Sequence, residues 1–156
     1  MTMQQKIQAK KSKKGFTLVE LVIVIAILAI LAAIAIPVIT TTINSAKLST
    51  MESDVSSLNM LVKEAINTSK ASRTATKWNG KTAAEATIND VCLENGIDDT
   101  ENYYTRVIGG KDYKMVWEKI EGSEDGNIKI NGDGYKATGD EITGATAISA
   151  LSTKSK

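Results

Sequence analysis

The side chains that usually do chemistry are scarce in this chain. It has no histidine and one cysteine, Cys92. Without an imidazole, Ser-His-Asp and Cys-His catalysis and histidine-based zinc sites are excluded, and a single thiol closes no disulfide within the chain. Carboxylates remain. Asp98-Asp99 follows a Gly-Ile turn and has no partner base, so it makes no catalytic dyad. The acidic, glycine-containing stretch from Glu124-Asp125-Gly126 to Gly139-Asp140-Glu141 offers oxygens of the kind calcium takes. Calcium wants about six to eight of them from a defined loop, no EF-hand spacing fits, and hairpin turns favour Asp, Asn and Gly on their own account. Gly132-Asp133-Gly134 is no phosphate loop, because no Gly-Lys-Ser/Thr comes after it. No catalytic residue, metal or cofactor is expected, and the chain does not read as an enzyme. One carboxylate stands apart by position. Glu20 is the only charged side chain between Gly15 and Ile39.

The element that carries Glu20 is apolar. Leu21 to Ile36 is an unbroken run of hydrophobic residues, and only Pro37 interrupts it before Val38 and Ile39. About 20 such residues at about 1.5 Å rise cross a bilayer core of about 30 Å. Five lysines (Lys6, Lys10, Lys11, Lys13, Lys14) and no acid precede it, which places the N-terminus in the cytoplasm. Taking those five from the chain's 19 basic residues leaves 14 against 18 acidic ones, a balance that argues against a nucleic-acid grip. The run exceeds a secretory signal core of roughly 7–15 residues. Ala33-Ile34-Ala35 has cleavage-site spacing but lies inside it. A plain signal anchor accounts for the hydropathy. Glu20 then has two accounts: it reaches the headgroups at the cytoplasmic edge, or it meets a cation inside protein. A cut between Gly15 and Phe16 creates such a cation, a new α-amine, and makes Glu20 the fifth residue of the new chain. A staggered neighbouring helix presents that amine better than the helix that bears it.

Lys13-Lys14-Gly15-Phe16-Thr17-Leu18-Val19-Glu20 followed by an apolar run resembles the processing signature of type IV pilins and pseudopilins. The resemblance implies cleavage after Gly15 by a membrane prepilin peptidase, which also methylates the new amine of Phe16. It implies that Glu20 pairs with the Phe16 amine of an adjacent subunit, and Pro37 matches a helix-disrupting proline of many pilins. It further implies an assembly ATPase and a platform membrane protein that draw subunits out of the membrane into a helical homo-oligomeric filament on the cell surface. Adhesion, twitching motility and DNA uptake all use this N-terminal device, so what the filament touches, host surface or DNA, stays open. Many Gram-negative pilins close a C-terminal loop with a cysteine pair. This chain departs from that pattern, which suggests a Gram-positive type.

The chain is expected to divide into four regions: a cleaved leader at 1–15, a membrane and polymerisation half of a long helix at 16–39, its amphipathic half at 40–70, and a globular head at 71–156. In the amphipathic half, Leu48, Met51, Val55, Leu58, Leu61, Val62 and Ala65 recur at helical steps. Pro37 should kink or locally melt the long helix, and Asn67-Thr68-Ser69 is expected to be its fraying end. Residues 71–80 read as a polar connection. Thr82-Ala83-Ala84-Glu85 reads as a capping box that opens a short helix over 83–94, with Ala84, Ile88, Val91 and Cys92 on one face and Asn95-Gly96 as its stop. Cys92 is expected to be a buried thiol. Strands are expected over 103–108, 113–120, 127–130 and 135–138, joined by glycine-rich turns into an antiparallel meander with Tyr113, Met115 and Trp117 facing inward. The end, 142–156, has room for one more strand and a tail. The fold class is α+β, a long N-terminal helix on a small antiparallel sheet. Two other outcomes are kept: a pseudopilin of a secretion or DNA-uptake system, and a signal-anchored binding module that never polymerises.

Overall fold

The computed structural model describes residues 15–71, 76–82, 84–97, 103–121, 123 and 125–151. Asp98-Asp99, the leader lysines and residues 152–156 lie outside them. The chain divides into two units, Met1–Thr40 and Thr41–Lys156. Helix α1 runs Leu18–Ala71 and so contributes to both. It is helical through Pro37, so the expected melting does not occur there. Pro37 has no N–H to give to the carbonyl one turn back; the Thr40 hydroxyl donates to the Pro37 carbonyl at 2.9 Å.

In the second unit, α1 presents Met51, Leu58, Val62, Ala65 and Ile66 as a buried stripe, with Leu48, Val55 and Leu61 flanking it. These steps of three and four residues are the apolar face anticipated from the sequence. Five strands form one antiparallel sheet: β3 (Thr105–Ile108), β4 (Lys111–Lys119), β5 (Gly126–Gly132), β6 (Tyr135–Lys136) and β7 (Asp140–Glu141). The order β3-β4-β5-β6 is the expected meander. Tyr113, Met115 and Trp117 on β4 and Ile128 and Ile130 on β5 join the helix stripe in one core.

The remaining strand, β7, corrects the expectation for the chain's end. β3 occupies one edge of β4 only over Lys111 to Lys114, and β7 takes up that edge at Val116 and Trp117. Gly139, just before it, comes so close that an added Cβ would lie 2.3 Å from the Trp117 carbonyl oxygen, so no other residue fits without moving β4. The next element is a short helix, α3 (Ile148–Leu151), and not a strand. Ile148 and Leu151 pack into the core.

Residues read as a polar connection hold a two-strand hairpin, β1 (Thr76–Trp78) and β2 (Lys81–Thr82). Its turn, Asn79-Gly80, has φ of 48° and 73°, the left-handed region that Asn and Gly tolerate best. The second helix also begins later than expected. α2 spans Ile88–Glu94, capped by Thr87, with Asp90 completing the capping box. Thr82 and Glu85 instead close a single turn, in which the Glu85 and Ala86 N–H groups donate to the Thr82 carbonyl. The stop at Asn95-Gly96 is as expected, with Gly96 at φ 77°.

Asn59, a polar residue of α1 next to the buried Leu58, has a specific task. Its amide donates to the Ile128 carbonyl at 2.8 Å and accepts from the Ile128 N–H at 2.6 Å. These backbone groups belong to the length of β5 that β6 does not cover, since β6 pairs only with Asn131 and Gly132. One helix side chain thus stands in for a missing strand. Asn59→Ala should lower the stability of the full chain in detergent micelles by about 2 kcal/mol, the cost of stranding a half-buried donor and acceptor. Urea titration followed by the fluorescence of Trp78 and Trp117, both 2% exposed, measures this, and a midpoint unchanged from the parent would refute the role.

Candidate functional site

The residues singled out from the sequence lie in the first unit. Gly15, Phe16 and Thr17 precede α1 and are not helical. Phe16 is 83% exposed, and an added Cβ at Gly15 would meet nothing within 4 Å. The Gly15–Phe16 peptide bond therefore stands in an open, non-helical stretch of backbone. Immediately after it, the Thr17 hydroxyl accepts a hydrogen bond from the Glu20 N–H at 3.2 Å. That is the bond an N-cap residue makes to the third helical residue, and Thr17-Leu18-Val19-Glu20 has the spacing of a capping box. Thr17 is the residue that sequence reasoning overlooked here, although its spacing from Glu20 was in plain view.

Glu20 occupies the first turn of α1. Free N–H groups and the helix macrodipole make that end electropositive, which favours a carboxylate there. Among the described residues no cation forms an ion pair with it. Phe16 and Glu20 are brought to the same helix end. Pro37 lies further along α1, about 25 Å from Glu20 at about 1.5 Å per residue.

The rest of this segment is surface. Leu18, Val19, Leu21, Ile25, Leu28, Leu31, Ile34 and Ile36 are all exposed by half or more. One 18-residue window of α1 has a mean hydropathy of 3.3 with none of it buried, long and apolar enough to cross a membrane. A soluble core helix of that composition would be covered by its own protein.

Polar groups in the second unit serve its own structure. Asp90, 4% exposed, accepts from Lys81 Nζ at 2.8 and 3.0 Å, from the Thr87 N–H at 2.9 Å and hydroxyl at 2.8 Å, and from Asn79 Nδ2 at 3.3 Å. Burial by itself raises its pKa, but the hydrogen bonds from Lys81, Thr87 and Asn79 outweigh burial and hold the carboxyl far below the ordinary range. Cys92 is buried, with its sulfur 3.5 Å from the Tyr104 hydroxyl, and burial pushes its thiol pKa up. A thiol so placed is a core residue and a poor nucleophile. Among the described residues no group of three or more His, Cys, Asp or Glu side chains is placed to hold a metal.

Residues 10–36 match the family model described as the prokaryotic N-terminal methylation motif. No curated protein and no solved structure matches the chain. The motif is a processing signal and not a catalytic one, and it spans the Gly15–Phe16 junction, Glu20 and most of the exposed apolar helix. The matched segment carries a prepilin-type methylation motif, in keeping with a type IV pilin-like or pseudopilin N-terminus, and the apolar helix it opens fits a membrane-anchored precursor.

Proposed function

We propose that the chain is the precursor of a structural subunit of a type IV pilus. It is cut after Gly15 by prepilin peptidase, methylated on the Phe16 amine, and drawn from the membrane by an assembly ATPase and platform protein into a surface filament. The observation that carries this reading is the first part of α1, residues 18–39, exposed around its whole circumference, whose one charged side chain, Glu20, sits at its very start, four residues past Phe16 at an open Gly-Phe junction.

Lipid shields the apolar surface of α1 before assembly, and that surface must be covered again when the subunit leaves. A bundle of identical helices covers it, at about 25 cal/mol for each Å² kept from water. Ile, Leu, Val and Ala on every side suit a helix surrounded by copies of itself. Glu20 then sets the stagger. A charge buried in such a bundle is costly unless a partner neutralises it, and the Phe16 amine of a neighbouring subunit is a cation of the right charge at the right end of the helix. Adhesion and motility are roles such a filament supports, and the exposed strands and turns of the head decide between them.

Intact-mass measurement of the membrane form tests the first step. The expected species lacks residues 1–15 and carries one added methyl on Phe16. A mature protein that still begins at Met1 would make this a signal anchor and end the proposal. Electron microscopy of sheared surface material, with mass identification of the subunit, tests the last step; a subunit confined to the membrane would exclude the filament.

A further inference from the structure

We propose that Asn79 is a site of spontaneous covalent modification, losing its amide by attack of the Gly80 backbone nitrogen, and that this change loosens the head. In the reaction the Gly80 nitrogen bonds to the Asn79 side-chain carbonyl carbon, ammonia leaves, and a succinimide forms. Water then opens the ring at one of its two carbonyls, leaving aspartate or isoaspartate. No oxidant, reductant or enzyme is required. Glycine in the second position matters because no side chain shields its nitrogen.

The chain holds three Asn-Gly pairs, and their settings differ. Asn95-Gly96 closes α2: the Gly96 N–H donates to the Leu93 carbonyl at 3.1 Å, and the Asn95 side chain donates to the Val91 carbonyl at 2.8 Å. Both the nucleophile and the group it attacks are engaged there. Asn131-Gly132 closes β5, with Gly132 paired to Tyr113 of β4 on one side and to Tyr135 of β6 on the other. An added Cβ at Gly132 would lie 2.6 Å from the Tyr113 ring, so attack needs paired strands to separate. Asn79-Gly80 is an exposed two-residue turn. Its strands, three and two residues long, pair only with each other and with a shift in register. Among the described residues the Gly80 N–H has no partner, and an added Cβ at Gly80 would meet nothing within 4 Å. Trp78 anchors the base of this hairpin in the core, but a ribbon of three and two residues holds few ladder bonds and its turn opens at low cost. Opening frees the Asn79 side chain from Asp90 and lets the reaction proceed.

The harm to the head comes from what the amide holds. Asn79 Nδ2 donates to Asp90 Oδ1 at 3.3 Å, and the Asn79 N–H donates to Glu94 Oε2 at 3.2 Å. Hydrolysis replaces a donor directed at Asp90 with a carboxylate. Two anions then face each other across the capping box of α2, with Glu94 as a third nearby. The isoaspartate product also adds a carbon to the backbone of a two-residue turn and so disturbs the Trp78–Lys81 pairing that the turn closes. The modified head keeps its central sheet and loses the clasp between the β1–β2 hairpin and α2.

Peptide mapping of the full chain in detergent micelles, held at mildly alkaline pH, tests the chemistry. Conversion at Asn79 should run about tenfold ahead of Asn95 and Asn131, the ratio that about 1.4 kcal/mol less opening free energy supplies. Equal rates at the three sites, or a lead by either of the others, would overturn the assignment. Asn79→Asp and Asn79→Gly test the consequence without waiting for the reaction, since both Asp and Gly tolerate the left-handed backbone at this position, φ 48°. Asn79→Asp should unfold at a lower urea midpoint than Asn79→Gly, because it adds repulsion to the lost hydrogen bond. If the two variants unfold together, the added charge does no harm and the loosening is refuted.

Discussion

Asp90→Ala is expected to lower the stability of the head by about 3 kcal/mol, within the range for removing one partner of a buried, hydrogen-bonded charge. Three kinds of partner are lost together: the Lys81 ammonium, the N-cap Thr87 through both N–H and hydroxyl, and the Asn79 amide. They do not count equally. The Lys81 side chain is 46% exposed, so water takes over much of its solvation, and Lys81→Ala alone should cost about 1 kcal/mol or less. The Thr87 N–H is a helix-start donor at the edge of the core, and leaving it unmet carries the larger share. Urea titration of the full chain in detergent, read by tryptophan fluorescence, separates the two variants; equal losses would mean that the ion pair, and not the cap, holds this corner.

The same residue gives the head an acid-sensitive component with a defined sign. Its folded pKa is depressed, so the stabilisation is fully present above the ordinary carboxylate value of about 3.9 and is lost progressively as pH falls below it toward the folded value. The gap in urea midpoint between the parent and Asp90→Ala should be constant from neutrality to about pH 5 and should narrow below about pH 4. A gap that widens on acidification would contradict the assignment of charge to Asp90.

Asp90 escaped a reading of the sequence because two Thr-x-x-acid patterns stand close together, Thr82 to Glu85 and Thr87 to Asp90, and each satisfies the spacing of a capping box. What separates them is the apolar run. Ile88, Val91 and Cys92 are fully buried and begin directly after Thr87, whereas Ala84 is exposed. Ala86 is buried too, but the cap belongs immediately before the apolar residues that recur at helical steps, and these begin at Ile88. The β1–β2 hairpin escaped for another reason: one strand of three residues and one of two carry no periodicity, and only Trp78, buried at 2%, gives a local reason to order them. Asn59 was beyond any local reading, because its partner lies 69 residues away on a strand edge. The α1 stripe, the alternation along β4 and the glycine turns were legible, since each repeats a period within a single element. The candidate site was the most legible part. Its signal is linear, a junction, a charge and an apolar run in fixed order, and it needs no tertiary structure to be recognised.

That linear site carries the largest functional effect expected of any single substitution. Glu20→Ala should leave subunit levels in the membrane near normal, because the apolar segment is unchanged, and should remove surface filaments almost completely. If the proposed pairing holds the filament together, the variant leaves the amine of Phe16 buried without its anion. For a buried pair that loss is about 3–5 kcal/mol, a factor on the order of a hundred to several thousand in the equilibrium for adding a subunit. Because every addition meets the same penalty, filament length collapses and does not merely shorten. Glu20→Gln keeps the shape and the N-terminal hydrogen-bonding position while removing the charge, so it should fail as Glu20→Ala does if neutralisation of the Phe16 amine is what matters. If Glu20→Gln assembles normally and only Glu20→Ala fails, Glu20 acts at the start of its own helix, beside the Thr17 cap, and not between subunits. Counting filaments in sheared fractions against immunoblots of membrane subunit decides among these outcomes, and normal filaments in both variants would remove Glu20 from the assembly mechanism altogether.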